Sequence, residues 1–181
     1  MDRITAVRMD LGYKTATSLV CGILGVSFAI VGHHYGYVDS RWFYFSLGAF
    51  CLFLTAILEN LALLAMMQLI LLAGAGAMLA HFNLIFRTAL PILLSVQAIL
   101  FFGLSGKLRD WETVLGCLGT LFLALGFCTH NPYISFVGAA SVTGYAFSLY
   151  RGGNKPAIYW IALNSYFTIA SLMKITHFLN S

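Results

Sequence analysis

Charge is what this sequence has least of. Only 9% of its 181 residues are charged, ten basic and six acidic, while 60% are hydrophobic. A soluble domain carries about 25% charged residues. A water-facing surface cannot be built from so few, so a lipid bilayer is the expected solvent. The net charge of +4 comes without a basic cluster interleaved with aromatics, which excludes nucleic acid as a partner. No two of the four cysteines (Cys21, Cys51, Cys117, Cys128) form a C-x-x-C pair, and all lie within apolar runs. They read as small packing residues, with no disulfide or zinc site expected and no indication of redox compartment.

Carboxylates are missing where a pump would need them. Asp2, Asp10, Asp39, Glu59, Asp110 and Glu112 all fall in tails, turns or the ends of apolar runs. A proton-driven pump keeps an ionisable group within the bilayer, so passive movement of a solute fits better. No serine has a histidine and a carboxylate placed to activate it, so no hydrolytic constellation is present in the sequence and no enzyme is expected. The glycine-rich run Ala73-Gly74-Ala75-Gly76-Ala77 lies inside an apolar stretch and lacks the Lys-Ser/Thr of a phosphate loop. It reads as a surface for close helix packing. No metal or cofactor is called for.

What remains is apolar runs. A helix needs about 20 apolar residues to cross a bilayer. Seven runs qualify: 15–34, 42–58, 61–81, 84–104, 112–129, 132–150 and 156–178. The second and third are separated only by Glu59-Asn60, which must therefore be a tight surface turn. Thr129-His130-Asn131-Pro132 divides the fifth from the sixth, with Pro132 suited to a helix first turn. The linkers are too short to hold a soluble domain. The N-terminal MDRITAVRMDLGYK resembles the basic region of a signal peptide, but its apolar run ends in GHHYGY, without a small-x-small cleavage site, so an uncleaved first span is expected. Arg3, Arg8, Lys14, Lys107, Arg109, Arg151 and Lys155 lie on one side, and Arg41, Arg87 and Lys174 on the other. The richer side is the cytoplasmic one, which puts the N-terminus inside and the C-terminus outside.

An internal repeat runs through these spans. The endings His81-Phe82 and His177-Phe178 stand 96 positions apart. The same offset pairs Cys21 with Cys117, His34 with His130, and Gln68 with Asn164, while an offset of 90 pairs Gly48 with Gly138. The expected fold class is an all-α integral membrane protein of seven transmembrane helices, arranged as two parallel three-helix bundles joined by a linker helix. The divisions are a cytoplasmic tail (1–14), a first bundle (15–81), a linker helix (82–105) and a second bundle (106–181). Parallel repeats recur in transporters, with the solute between the repeats near the midplane.

This 3+1+3 plan resembles that of the SWEET sugar transporters and the PnuC vitamin transporters. The cytoplasmic N-terminus is closer to the PnuC arrangement, and the resemblance implies a bacterial inner-membrane facilitator. Asparagines in the third and seventh spans of SWEET proteins face the sugar; the matching positions here are Gln68 and Asn164. The hinge prolines of the first, second and fifth SWEET spans have no counterpart in this chain.

Span seven is the most polar. Asn164, Thr168 and Ser171 share one face at i, i+4 and i+7, with Trp160 one turn before them. Such a stripe either binds hydroxyls or amides of a solute or ties helices together. Gln68, Asn164, Thr168, Ser171 and Trp160 are the candidate solute-binding residues. Ser141, Tyr145 and Ser148 repeat the spacing in span six, beside Gly138 and Gly144, and read as packing. Arg87 either meets an anion or snorkels to the interface, and Gln97 is a weaker candidate for lining a pathway. The five histidines, His33, His34, His81, His130 and His177, all fall at the outer ends of spans. They are polar aromatics at the boundary or a metal- or pH-sensing ring; their depth fits haem poorly. The expected function is facilitated movement of a small polar solute through a midplane site, by a monomer or a homo-oligomer. The alternatives are a non-transporting membrane subunit or scaffold, and an outer-face histidine sensor.

Overall fold

The computed structural model describes the backbone of residues 3–34 and 38–179 and the side chains of residues 14–34 and 40–179. The expectation for Asp2 lies outside the described residues, as do the side chains of Asp10 and Asp39. Seven α-helices follow one another: α1 (Arg3–His34), α2 (Val38–Leu58), α3 (Ala62–Leu79), α4 (Leu84–Leu104), α5 (Trp111–Thr129), α6 (Pro132–Arg151) and α7 (Ile158–Leu179). Short 3₁₀ turns, Lys107–Arg109 and Lys155–Ala157, precede α5 and α7. There is no strand among the described residues. The helix of α1 begins well before its apolar part, so much of the expected tail is helical.

Among the described residues five helices are long and apolar enough to cross a membrane, those of α1 to α5. Seven were expected. The other two are long enough, at 20 residues for α6 and 22 for α7. Their serines, threonines, tyrosines and Asn164 make them too polar to join the five. Several of those polar groups are satisfied within their own helix, where hydroxyls donate to carbonyls a turn back: Thr143 to Ala139, Ser148 to Tyr145, Thr168 to Asn164 and Thr176 to Met173.

The connections follow from local stereochemistry. Between α2 and α3, Asn60 takes a left-handed φ of 58°, and the Leu61 amide donates back to the Ala56 carbonyl. Asparagine tolerates that region, so Glu59-Asn60 turns the chain without glycine. His130 takes the same conformation just past α5, at φ 54°. Asn131 then caps α6 by accepting from the Tyr133 and Ile134 amides, with Pro132 at the first helical position. Asn83 caps α4 in the same manner, accepting from the Phe86 amide.

Each helix packs chiefly on its neighbours in sequence, and the chain closes on itself. The α1–α7 and α3–α5 contacts join the two halves, while α4 lies against both α3 and α5. The α5–α6 approach is close because Gly138 faces the backbone of α5: a Cβ there would run into Leu123. Gly74 of the small-residue run faces Pro91 of α4, while Gly76 faces open space. One core cluster built on Leu52, Leu64, Met67, Leu123, Val142 and Trp160 runs through the middle of the ring.

Pro91 has a consequence beyond packing. It lacks an N–H, so the Arg87 carbonyl one turn back loses its helical partner. The Cys128 thiol of α5 donates to that carbonyl at 3.2 Å. Cys128 is thus both a buried packing residue and a partner for an orphaned acceptor. Arg87 itself donates from Nε to the Phe82 carbonyl and from Nη1 to Met78 Sδ at 3.7 Å, closing the α3–α4 turn.

Candidate functional site

Two cavities lie one above the other inside the ring of helices. The larger, about 320 Å³, opens at the end where α1 and α5 finish and α2 and α6 begin. It is lined by His33, Arg41, His130, Ser135, Ser171 and Lys174, with Trp42, Phe127 and Phe167 among its apolar walls. The smaller, about 40 Å³, lies deeper. Its walls include Ala49, Leu52, Ile70, Gly74 and Leu163, and Gln68 is its one polar side chain apart from the Cys128 thiol and the Trp42 indole. That volume has room for roughly two waters.

Trp42, Phe127 and Phe167 border both cavities, so they form the partition between them. Phe45 completes it: its ring lies 5.6 Å from Phe127 and 6.0 Å from Phe167, with Phe127 and Phe167 edge-to-face at 5.3 Å. Such geometries are attractive for rings and leave little gap for water. The partition draws Trp42 and Phe45 from α2, Phe127 from α5 and Phe167 from α7, so any shift between those helices alters it.

The outer cavity, here called the vestibule, is cationic. Arg41 is half-buried, and its guanidinium lies 5.7 Å from the Trp42 ring and 6.0 Å from the Phe45 ring. Its buried Nε has no hydrogen-bond partner. Lys174 approaches from α7. No aspartate or glutamate is among the described residues that line it. Burial, then the charges of Arg41, Lys174 and Arg87, lower the pKa of His130 below its ordinary value, so it is neutral at neutral pH. At the rim the Tyr166 hydroxyl meets His33 Nδ1 and His34 Nε2, each at 2.9 Å. One hydroxyl proton serves only one acceptor, so at least one imidazole presents an N–H to that oxygen.

The five residues singled out by pattern separate in the structure. Gln68 lines the inner chamber; it is 1% exposed and its Nε2 has no partner. Ser171 lines the vestibule. Asn164 is equally buried, but its Nδ2 donates to the Trp160 carbonyl at 2.9 Å, and it lines neither cavity. Thr168 also lines neither. Trp160 is wholly buried in the core, its indole N–H without a partner. The structure therefore brings Gln68 and Ser171 to successive compartments and leaves Asn164 in the wall. Gln97 faces outward from α4. Of the histidines, His33 and His130 reach the vestibule, and His81 lies past the end of α3 at φ 53°. No group of three His, Cys, Asp or Glu side chains among the described residues is placed to hold a metal ion.

Comparison with known proteins finds no matching family model, curated protein or solved structure. The reading of the two cavities therefore rests on their own chemistry. Sequence patterning missed Arg41, Lys174 and the aromatic partition. The available signal was that Arg41, Lys174, His33 and His130 were all assigned to one end of the molecule, an end otherwise poor in basic residues.

Proposed function

We propose that this chain is a membrane facilitator whose solute passes from the vestibule, across the aromatic partition, to the Gln68 chamber. All seven helices cross the bilayer in this reading, as two three-helix units with α4 as the linker, a plan similar to that of SWEET and PnuC transporters. The N-terminus lies in the cytoplasm of a bacterial cell, and the vestibule opens outside. The helices α6 and α7 are roughly 30 and 33 Å long at 1.5 Å per residue, enough for the hydrocarbon core. Their internally bonded hydroxyls make their polarity tolerable there.

The observation that carries the reading is the continuity of the two cavities through shared walls, Trp42, Phe127 and Phe167. A scaffold has no need of a polar mouth above a buried amide whose Nε2 has no partner. A buried amide left without a partner costs about 1–3 kcal/mol, a cost removed when a solute or water reaches Gln68. The 40 Å³ chamber is too small for a solute in this arrangement, so passage requires the partition rings to part.

Purified protein in liposomes tests this directly. Rapid osmotic shifts with a panel of small solutes, neutral and anionic, follow which ones enter. At least one solute is expected to enter faster than into protein-free liposomes, and Gln68→Leu is expected to slow it. Uptake no faster than the protein-free control across the panel would leave the non-transporting subunit as the better account.

A further inference from the structure

The vestibule holds two permanent cations, Arg41 and Lys174, together with His33 and His130, and no carboxylate among the described residues that line it. Like charges sharing a half-buried space are unfavourable unless something of opposite sign joins them. Among the described residues nothing on the inner wall plays that part. The Arg41 guanidinium is held against Trp42 and Phe45, and its buried Nε lacks any acceptor. The Ser135 and Ser171 side chains add hydroxyls to the same wall. We infer that the vestibule is a binding site for a small oxyanion, a carboxylate or phosphate group, held between Arg41 and Lys174.

The chemistry is specific to that class. A guanidinium offers paired N–H donors in a plane, which match the two oxygens of a carboxylate or phosphate. Lys174 supplies a second, mobile charge from the facing helix, and the serine hydroxyls can donate to remaining lone pairs. A volume of about 320 Å³ is at the lower end of ligand pockets, which limits the occupant to a small molecule. The aromatic floor of Trp42, Phe127 and Phe167 would contact its apolar part. A neutral polyol gains little from this wall, and a cation is repelled by it. That this anion is also the transported solute rests on the transport reading above; its binding does not.

Binding is followed by the fluorescence of Trp42, which borders the site, in lipid nanodiscs. Inorganic phosphate and succinate are the probes, with glycerol as the neutral comparison. Both anions are expected to change the emission saturably, and glycerol is not. Arg41→Gln is expected to weaken anion binding about tenfold or more, the loss of a charge-assisted bidentate contact. Lys174→Gln is expected to weaken it severalfold, with Lys174→Arg restoring it. Because Arg41→Gln alone could misfold, the lysine pair provides the independent test. Anions that bind no better than glycerol, or a Lys174→Gln protein that binds as tightly as wild type, would overturn the inference.

A lipid headgroup carries the same phosphate chemistry as a free solute. Nanodiscs of phosphatidylcholine and of phosphatidylglycerol separate the two sources. Equal affinity in both supports a free solute; succinate binding lost only in phosphatidylglycerol assigns the site to lipid and overturns the solute form of the inference. Saturable binding without uptake into liposomes would instead retain the site and remove the transport reading.

Discussion

The vestibule and the inner chamber are separated by four aromatic side chains, yet they are opposites. One is about 320 Å³ and cationic; the other is about 40 Å³ and apolar, with one amide in its wall. Helix ends make the first. There the chain supplies Arg41 from the start of α2, His33 and His130 from the ends of α1 and α5, and Lys174 near the end of α7, where charge is less costly than deep among packed helices. The second is walled by alanine, leucine and phenylalanine of α1, α2, α5 and α7, together with α3 and Pro91 of α4. The contrast teaches that charge and close packing sit at different depths; in the transport proposed above, charge would sort solutes at the mouth and packing would decide whether they pass.

The largest expected effect comes from removing the partition. Phe167→Ala joins the two cavities and takes a 4%-exposed ring out of the core. A loss of about 3–5 kcal/mol in stability is expected, with solute leak into liposomes rising at least severalfold. A variant that is destabilised without leaking would mean the rings are packing only.

A subtler change sharpens the contrast in the chamber. Gln68→Leu removes a buried amide that has no partner at Nε2. Such an amide costs about 1–3 kcal/mol when left unpaired, so the variant should melt at the same temperature or higher while solute passage slows. Loss of stability together with passage would show that Gln68 is a structural residue.

Cys128→Ala acts between the regions. It deprives the Arg87 carbonyl, freed by Pro91, of its thiol donor. A destabilisation of about 1–2 kcal/mol is expected from thermal unfolding in detergent, with anion binding at the vestibule unchanged. A Cys128→Ala protein as stable as wild type would mean that carbonyl needs no partner.

The smallest effect is in pH. His130 has its pKa lowered from the usual 6.5. It faces Arg41 of α2, Lys174 of α7 and Arg87 of α4, all cationic, and shares the vestibule with His33 of α1. It is therefore uncharged at neutral pH and gains its proton only as pH falls below the ordinary histidine range. Each added positive charge favours an anion, so succinate affinity should rise on acidification through that range, and His130→Gln should flatten the rise. An affinity that falls on acidification, while the anion keeps its charge, would reverse the assigned sign.

Much of the framework was legible in the sequence. The run expected at 84–104 is the helix Leu84–Leu104, and the break at Glu59-Asn60 falls between α2 and α3. These succeed because apolar length and turn chemistry are local properties. Span seven shows where local reasoning ends. The i, i+4, i+7 spacing rightly placed Asn164, Thr168 and Ser171 near one face, but spacing does not say which neighbour a side chain finds. Asn164 and Thr168 bond to their own helix, and only Ser171 reaches a cavity. The vestibule was illegible for a different reason. Its charged and aromatic walls come from α1, α2, α5 and α7, separated by up to 141 positions between His33 and Lys174. Only the closing of the ring through the α1–α7 contact brings them together.

One measurement tests the central claim, that a polar mouth and an inner chamber form a single passage interrupted by aromatic rings. In a background with the native cysteines replaced by alanine, Ser171→Cys and Gln68→Cys are treated in sealed proteoliposomes with a charged, membrane-impermeant thiol reagent. Ser171→Cys should react quickly, Gln68→Cys slowly, and Gln68→Cys quickly once Phe167→Ala is added. A Gln68→Cys protein that stays unreactive after the ring is removed, or a Ser171→Cys protein that never reacts, would contradict a passage through this route.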